Sequence, residues 1–332
     1  MKKLSYFYFA LIALLFPFIS SAHVKWFVET DDVIDKSHGI TSFYPVTSSE
    51  VLIWSGIVVV IVIAFSILDK YAKAPSALVN FGFTHVKNIN RISQILLGLF
   101  LISITFIWKI VLVPDAHATT TLSLILLVVQ ALIGLMFVFN FKPRIASILL
   151  VLFYFSLFFT GGIVTLLENA LLLSLAIYFF IINTKDNLNI NWLRMHSLEI
   201  VRIGTGISLI TLAFTEKFLY PELSLQFLSV HHWNFMESLF PLFTDKLFVL
   251  STGFAELIFG LLFVFGYITR ITTILIALFF AASVVTMFMQ FGAWETEDLV
   301  VYSAAILLIF FGSGRNKFYH HIWPNSILQK QI

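Results

Sequence analysis

The chain has 332 residues, of which 59% are hydrophobic and 11% charged, with a net charge of +2. A soluble domain carries about 25% charged residues. That excludes a purely water-soluble core and points to lipid as part of the solvent. The small net charge also argues against nucleic acid as a partner. The chain contains no cysteine. It therefore has no disulfide exchange, thiolate zinc site, cysteine-ligated iron–sulfur cluster or covalently attached haem. None of its nine His lies in the middle of an apolar run, so no haem site is expected either.

Lys2 and Lys3 precede an apolar stretch from Leu4 to Ile19, followed by Ser20-Ser21-Ala22. This charged, apolar, small-residue order is that of a secretory signal peptide over residues 1–22. The alternative is an uncleaved anchor helix, for which the stretch is short. Cleavage after Ala22 exposes His23. Residues 23–50 are polar and acidic, with Glu29, Asp31, Asp32, Asp35 and Glu50, and are expected outside.

Nine apolar runs follow, at about 51–68, 92–113, 120–140, 144–162, 166–183, 199–219, 247–266, 270–290 and 297–312. Each is long enough, or nearly so, to cross the hydrocarbon as a helix. The pair beside Gly161-Gly162 reads either as one broken element or as two spans joined by a tight turn, and the second reading is preferred. The expected fold is an all-α polytopic membrane protein with about nine transmembrane helices. A topology starting outside puts Lys70, Lys87, Arg91, Lys142, Arg144, Arg202, Arg270 and Arg315 inside, as the positive-inside rule requires. Lys25, Lys36, Lys109, Lys217 and Lys246 then fall outside. The C-terminal tail, 316–332, is cytoplasmic in this topology, and the membrane is a bacterial-type inner membrane.

The segment QALIGLMFVFNFKPRIASILLVLFY from Gln130 matches AELIFGLLFVFGYITRITTILIALFF from Ala255. Aligning Gln130 with Glu256 pairs Gly134 with Gly260, Phe139 with Phe265 and Arg144 with Arg270. Upstream, Arg91 pairs with Arg202 and Lys109 with Lys217. The pattern implies two parallel four-helix repeats, 91–183 and 199–315, with the helix at 51–68 as an extra N-terminal element. Shared apolar composition is the competing explanation of the match.

RIGTGISLITLAFTEKF from Arg202, ELIFGLLFVFGYITRITT from Glu256 and EDLVVYSAAILLIFFGSGR from Glu297 together make the second repeat resemble the DoxX family of bacterial membrane proteins. The first repeat is a weaker echo. The matching positions are Arg202, Lys217, Glu256, Gly260, Gly266, Arg270, Gly312, Gly314 and Arg315. Family members have been linked to thiosulfate:quinone oxidoreduction and to membrane redox complexes, so the resemblance implies a quinone cofactor and a redox partner subunit. In place of the family's Ser and Asp after the last turn, this chain has Asn316-Lys317-Phe318-Tyr319.

Among polar residues, Glu256 stands near the middle of its run. An ionised carboxylate there costs about 2.5–3.5 kcal/mol or more, so it is neutral or paired. Lys217 is its candidate partner. Glu216, Glu295, Glu297 and Asp298 are candidates to complete a polar cluster. The first repeat has Lys109, Gln130 and Glu168 at the matching places, without the mid-membrane acid. The candidate catalytic residues are Glu256, Lys217 and Glu297. Lys217 would attract an anionic reductant or steady a reduced quinone oxygen, Glu256 would exchange a proton, and the acids around Glu297 would relay it outside. The structural alternative is that Lys217 snorkels and Glu256 holds helices together. That alternative belongs to a non-enzymatic scaffold, assembly factor or chaperone. A transporter has little support without broken mid-membrane helices.

Arg202, Arg270 and Arg315 are expected to set topology and touch lipid phosphate. His231-His232-Trp233 reads as an interfacial segment rather than a metal site. His23, as a mature N-terminal residue, would offer its α-amine and Nδ1 as a chelate for copper. Further ligands among His38, His117, His231 and His232 are open. N-terminal sequencing of the mature protein should read His-Val-Lys-Trp-Phe from His23, and an intact Met1 would refute the signal peptide.

Overall fold

The structure, a computed structural model, describes residues 47–314 apart from Lys73, 114–119, 185–189, Phe235, 238–239, 292–295 and Glu297. The signal segment, His23, His38, His117, Glu295, Glu297 and everything from Arg315 onward lie outside the described residues. Every regular element among the described residues is a helix. In chain order these are α1 Ser49–Tyr71, α2 Ser76–Thr84, α3 Val86–Ser103, α4 Thr121–Val138, α5 Pro143–Phe155, α6 Phe158–Glu168, α7 Ala170–Ile182, α8 Asn191–Leu212, α9 Pro221–His231, α10 Asp245–Phe265, α11 Thr269–Phe291 and α12 Leu299–Phe311. Two of them run on into π-helical turns, α3 over Ile104–Trp108 and α8 over Ala213–Phe218.

Five helices are long and apolar enough to cross a membrane: Ser49–Tyr71, Val86–Trp108, Thr121–Val138, Asn191–Phe218 and Asp245–Phe265. A sixth candidate is the pair Gly162–Glu168 and Ala170–Ile182, bent by 62°. Pro143–Phe155, Thr269–Val285 and Leu299–Phe311 are apolar but shorter. The turn expected at Gly161-Gly162 falls inside α6, where Gly162 adopts φ +68°. The chain breaks instead at Ser156-Leu157 and at Asn169. Leu52, Ile53, Val59, Val60 and Ile63 of α1 are exposed. Such a surface suits hydrocarbon and not water.

The helix starts are written locally. Ser48 accepts from Val51 N–H, and Thr120 with Ser123 forms a capping box. Pro143 and Pro221 stand in the first turns of α5 and α9. Gly266 ends α10 at φ +78° and Gly312 ends α12 at φ +81°, the left-handed geometry that glycine adopts without a Cβ clash.

Glycine also sets two close helix approaches. A Cβ on Gly98 of α3 would stand 2.7 Å from the Gly134 carbonyl of α4. A Cβ on Gly206 of α8 would stand 2.7 Å from the Gly260 carbonyl of α10. These two hairpins then interlock through serines. Ser93 Oγ of α3 donates to the Ser303 carbonyl of α12 at 2.7 Å, and Ser303 Oγ donates back to the Ser93 carbonyl at 2.8 Å. On the other side, Leu171 N–H of α7 donates to Ser208 Oγ of α8 at 2.9 Å, while Ser174 closes over Gly204. Helix α1 lies against α10, where Trp54 stacks on Phe254. Its Asp69 is buried and accepts the Ile268 N–H at 2.8 Å.

The arginines correct an expectation. The last carbonyls of a helix have no partner within it. Arg202 donates to the carbonyls of Phe263 at 2.6 Å and Val264 at 3.0 Å, at the end of α10. Arg270 donates to those of Ile309 at 2.9 Å and Phe310 at 3.2 Å, at the end of α12. Arg91 does the same for Phe137 and Val138 at the end of α4. Arg202 is 3% exposed. The guanidinium groups of Arg202 and Arg270 therefore close neighbouring helix ends, and that of the buried Arg202 faces protein. Replacing Gly206 by Val should lower the unfolding midpoint in detergent, at a cost of about 1–3 kcal/mol. Gly56→Ala, where a Cβ meets nothing within 4 Å, should be neutral.

Candidate functional site

Lys217 and Glu256 meet. Helix α8 carries Lys217 in its π-helical extension, and α10 carries Glu256 one turn beyond Gly253. Lys217 Nζ lies 3.0 Å from Glu256 Oε1 and 3.0 Å from Glu216 Oε2. Neighbours on an α-helix diverge by about 100°. Over this wider π-helical turn, Glu216 and Lys217 both have fully buried side chains. π-Turns of this kind often mark working positions.

Gly253 makes the approach possible. A Cβ there would fall 2.9 Å from Lys217 Cβ and 2.7 Å from the Phe218 ring. One end of the site is closed by α9, whose Ser224 Oγ donates to the Glu216 carbonyl at 2.9 Å. Helix α9 is held in a small apolar cluster of Leu223, Phe227, Leu228, Trp233, Met236 and Phe248. Trp233 is therefore 8% exposed and set edge-on to Phe227. It packs inside the protein rather than marking an interface. His231 faces Phe227 with ring centroids 4.3 Å apart, while His232 is exposed at φ +52°. Among the described residues no three His, Cys, Asp or Glu gather to hold a metal ion.

The first half of the chain supplies an internal comparison. Gln130 of α4 is 0% exposed. Its Oε1 accepts the Leu112 N–H at 2.9 Å. Its Nε2 donates to Thr105 Oγ1 at 2.9 Å and to the Ile110 carbonyl at 3.1 Å. This amide satisfies the irregular backbone after the π-helical turn at Ile104–Trp108. Lys109 turns outward and is exposed, at φ +55°. The first half thus seals with a neutral amide what the second half fills with an ion pair.

The two sites differ in completeness. Glu256 Oε2 has no hydrogen-bond partner, and the side chain keeps 12% of its surface exposed. Of the remaining candidates, Glu297 lies outside the described residues, Asp298 is buried at the start of α12, and Glu168 is buried at the end of α6. The residues that sequence reasoning missed are the structural ones. Gln94 donates to the Phe137 carbonyl at 3.1 Å, and Asp69 reaches Ile268. Their only signal is polarity inside an apolar run.

No family model matches the chain, and no curated protein or solved structure matches it either. Over the described residues, the fold and site define an all-helical protein with helices of membrane-spanning length and a buried lysine paired with two acids, Glu216 and Glu256, among them. Gln130→Glu should destabilise the protein by about 2–4 kcal/mol in thermal unfolding. It would replace the donor to Thr105 and Ile110 with an acceptor and bury a charge without a cation.

Proposed function

We propose that this chain is a DoxX-like integral membrane protein that acts as a quinone-linked oxidoreductase subunit at the outer face of a bacterial inner membrane. The observation that carries the reading is the unbonded, buried Oε2 of Glu256, set against Gln130. A group that only glues helices gains from having every polar atom bonded, as Gln130 has. Glu256 leaves one oxygen without a hydrogen bond beside a buried cation. A quinone, when bound, supplies a two-electron acceptor that also takes two protons. An anionic reductant supplies the electrons. Lys217 holds positive charge where that anion or a reduced oxygen stands, and Glu256 exchanges one of the protons at Oε2. Acids at the start of α12, Glu297 among them, bring that proton in from the outside, and the second quinol proton also comes from the outer water. The N-terminal His23 remains a candidate copper ligand, tested by metal analysis of the mature protein.

The reading includes nine crossings, composed of the five long helices, the bent pair and the three shorter ones. The mature N-terminus is outside and the C-terminus inside. It also includes the duplication. Gly98 meets Gly134 and Val138, and Gly206 meets Gly260 and Val264. Ile102 and Ile210 stand over the partner glycines in the same way. In this register Lys109 matches Lys217, and Gln94 rather than Arg91 stands at the place of Arg202. Both donate to the matching carbonyls, of Phe137 and Phe263. The last helix of each half packs on the first helix of the other, as parallel repeats about an axis along the membrane normal would.

A scaffold or assembly factor is the second reading. It is favoured by the tight seat of Gly253 on Lys217 and Phe218. The two readings part at one experiment. Protein purified in mild detergent is extracted for quinone and assayed for anion-dependent quinone reduction, with Glu256→Gln beside it. The oxidoreductase reading expects wild-type turnover and a loss of about a hundredfold or more in the variant, with the fold retained. Wild-type protein that neither retains nor reduces a quinone would leave the scaffold.

A further inference from the structure

A cavity of about 510 Å³ lies where the α4–α5 turn meets the end of α7. It is lined by Lys142, Pro143, Arg144, Ile145, Ile148 and Asn183. Two cations face it and no carboxylate lines it. We infer that this cavity binds the phosphodiester headgroup of an anionic phospholipid, independently of the Lys217–Glu256 site.

The charges are available. Lys142 is exposed and its Nζ stands 5.3 Å from the centroid of the Phe141 ring. Arg144 is half-buried, with its guanidinium carbon 5.3 Å from the centroid of the Phe180 ring. Among the described residues neither side chain makes a hydrogen bond or an ion pair. A guanidinium over a ring face keeps its N–H edge free for the paired oxygens of a phosphate. Asn183 donates to the Phe179 carbonyl through its amide nitrogen.

The corresponding place in the second half is closed. Arg270, the counterpart of Arg144 in the sequence match, is spent on the carbonyls of Ile309 and Phe310. Ile268 sits at φ +37°, as Lys142 sits at φ +44°, just before the next helix. It is apolar, and its N–H is taken by Asp69 of α1. The matching positions of the second half, Ile268 and Arg270, thus offer no such pair of free cations.

The walls choose the source of the phosphate. The cavity lies at the end of α4, a helix of spanning length, so it sits at headgroup depth. Ile145 and Ile148 are 45% and 43% exposed along α5, just below the cations. They offer an apolar path for an acyl chain, which free phosphate does not have. Basic pockets between membrane helices take anionic headgroups in this manner.

The test is native mass spectrometry of the full chain in detergent micelles doped with phosphatidylglycerol or, separately, phosphatidylcholine. Wild type should retain phosphatidylglycerol and release phosphatidylcholine. Lys142→Gln/Arg144→Gln should weaken retention about thirtyfold, and Lys142→Gln alone about fivefold. Arg144→Lys, which keeps the charge but loses the paired N–H edge, should retain only part of the binding. The exposed Lys142 variant keeps the test decisive if the double variant folds poorly. Equal retention of both lipids, no loss in either Lys142 variant, or displacement by millimolar inorganic phosphate would overturn the inference.

Discussion

Hydrocarbon offers no hydrogen bonds, so every polar group that leaves water in this protein has to find a partner inside it. The whole arrangement follows from that constraint. Where α3 widens into a π-helical turn and loses its regular bonding, Gln130 supplies an acceptor and two donors. Where α10 and α12 end, Arg202 and Arg270 supply donors to the last carbonyls. Where α11 begins, Asp69 takes the N–H of Ile268. At Glu256 the rule is met only in part: Oε1 pairs with Lys217 while Oε2 has no hydrogen-bond partner.

Much of this was legible in the sequence, for reasons that differ by residue. Apolar runs are a strong signal because lipid selects composition over nearly twenty residues at once. The five long helices therefore fall within or over the expected runs. The pairing of Lys217 with Glu256 was legible because a lone charge at depth is costly and the two are neighbours along the chain of helices. The exact ends of helices were less legible. The break at Asn169 and the bend at Gly162 depend on tertiary packing, which an apolar string such as residues 144–183 does not encode locally.

The arginines were misread for an instructive reason. Positive residues at helix starts look alike in sequence whether they face lipid phosphate or a helix end. The distinguishing partner of Arg202 is Gly266, sixty-odd positions along the chain. Only the fold brings the two together. The burial of Trp233 was missed in the same way, since a short cluster around α9 covers a residue that by type suits an interface. Glu216 was seen as a neighbour of Lys217, but its full burial depends on the π-helical turn, which no local motif announces.

The two halves carry related geometry to different ends. In the first, Gln130 seals the irregular turn with an amide; in the second, Lys217 is paired with Glu216 and Glu256. The central claim is that Lys217 and Glu256 are held together as one unit inside the apolar bundle. A double-mutant cycle on unfolding in detergent, using Lys217→Met, Glu256→Gln and the pair, tests it most directly. The account predicts a coupling of about 1.5 kcal/mol or more, because either single change strands a buried partner. Additivity within about 0.5 kcal/mol would contradict it.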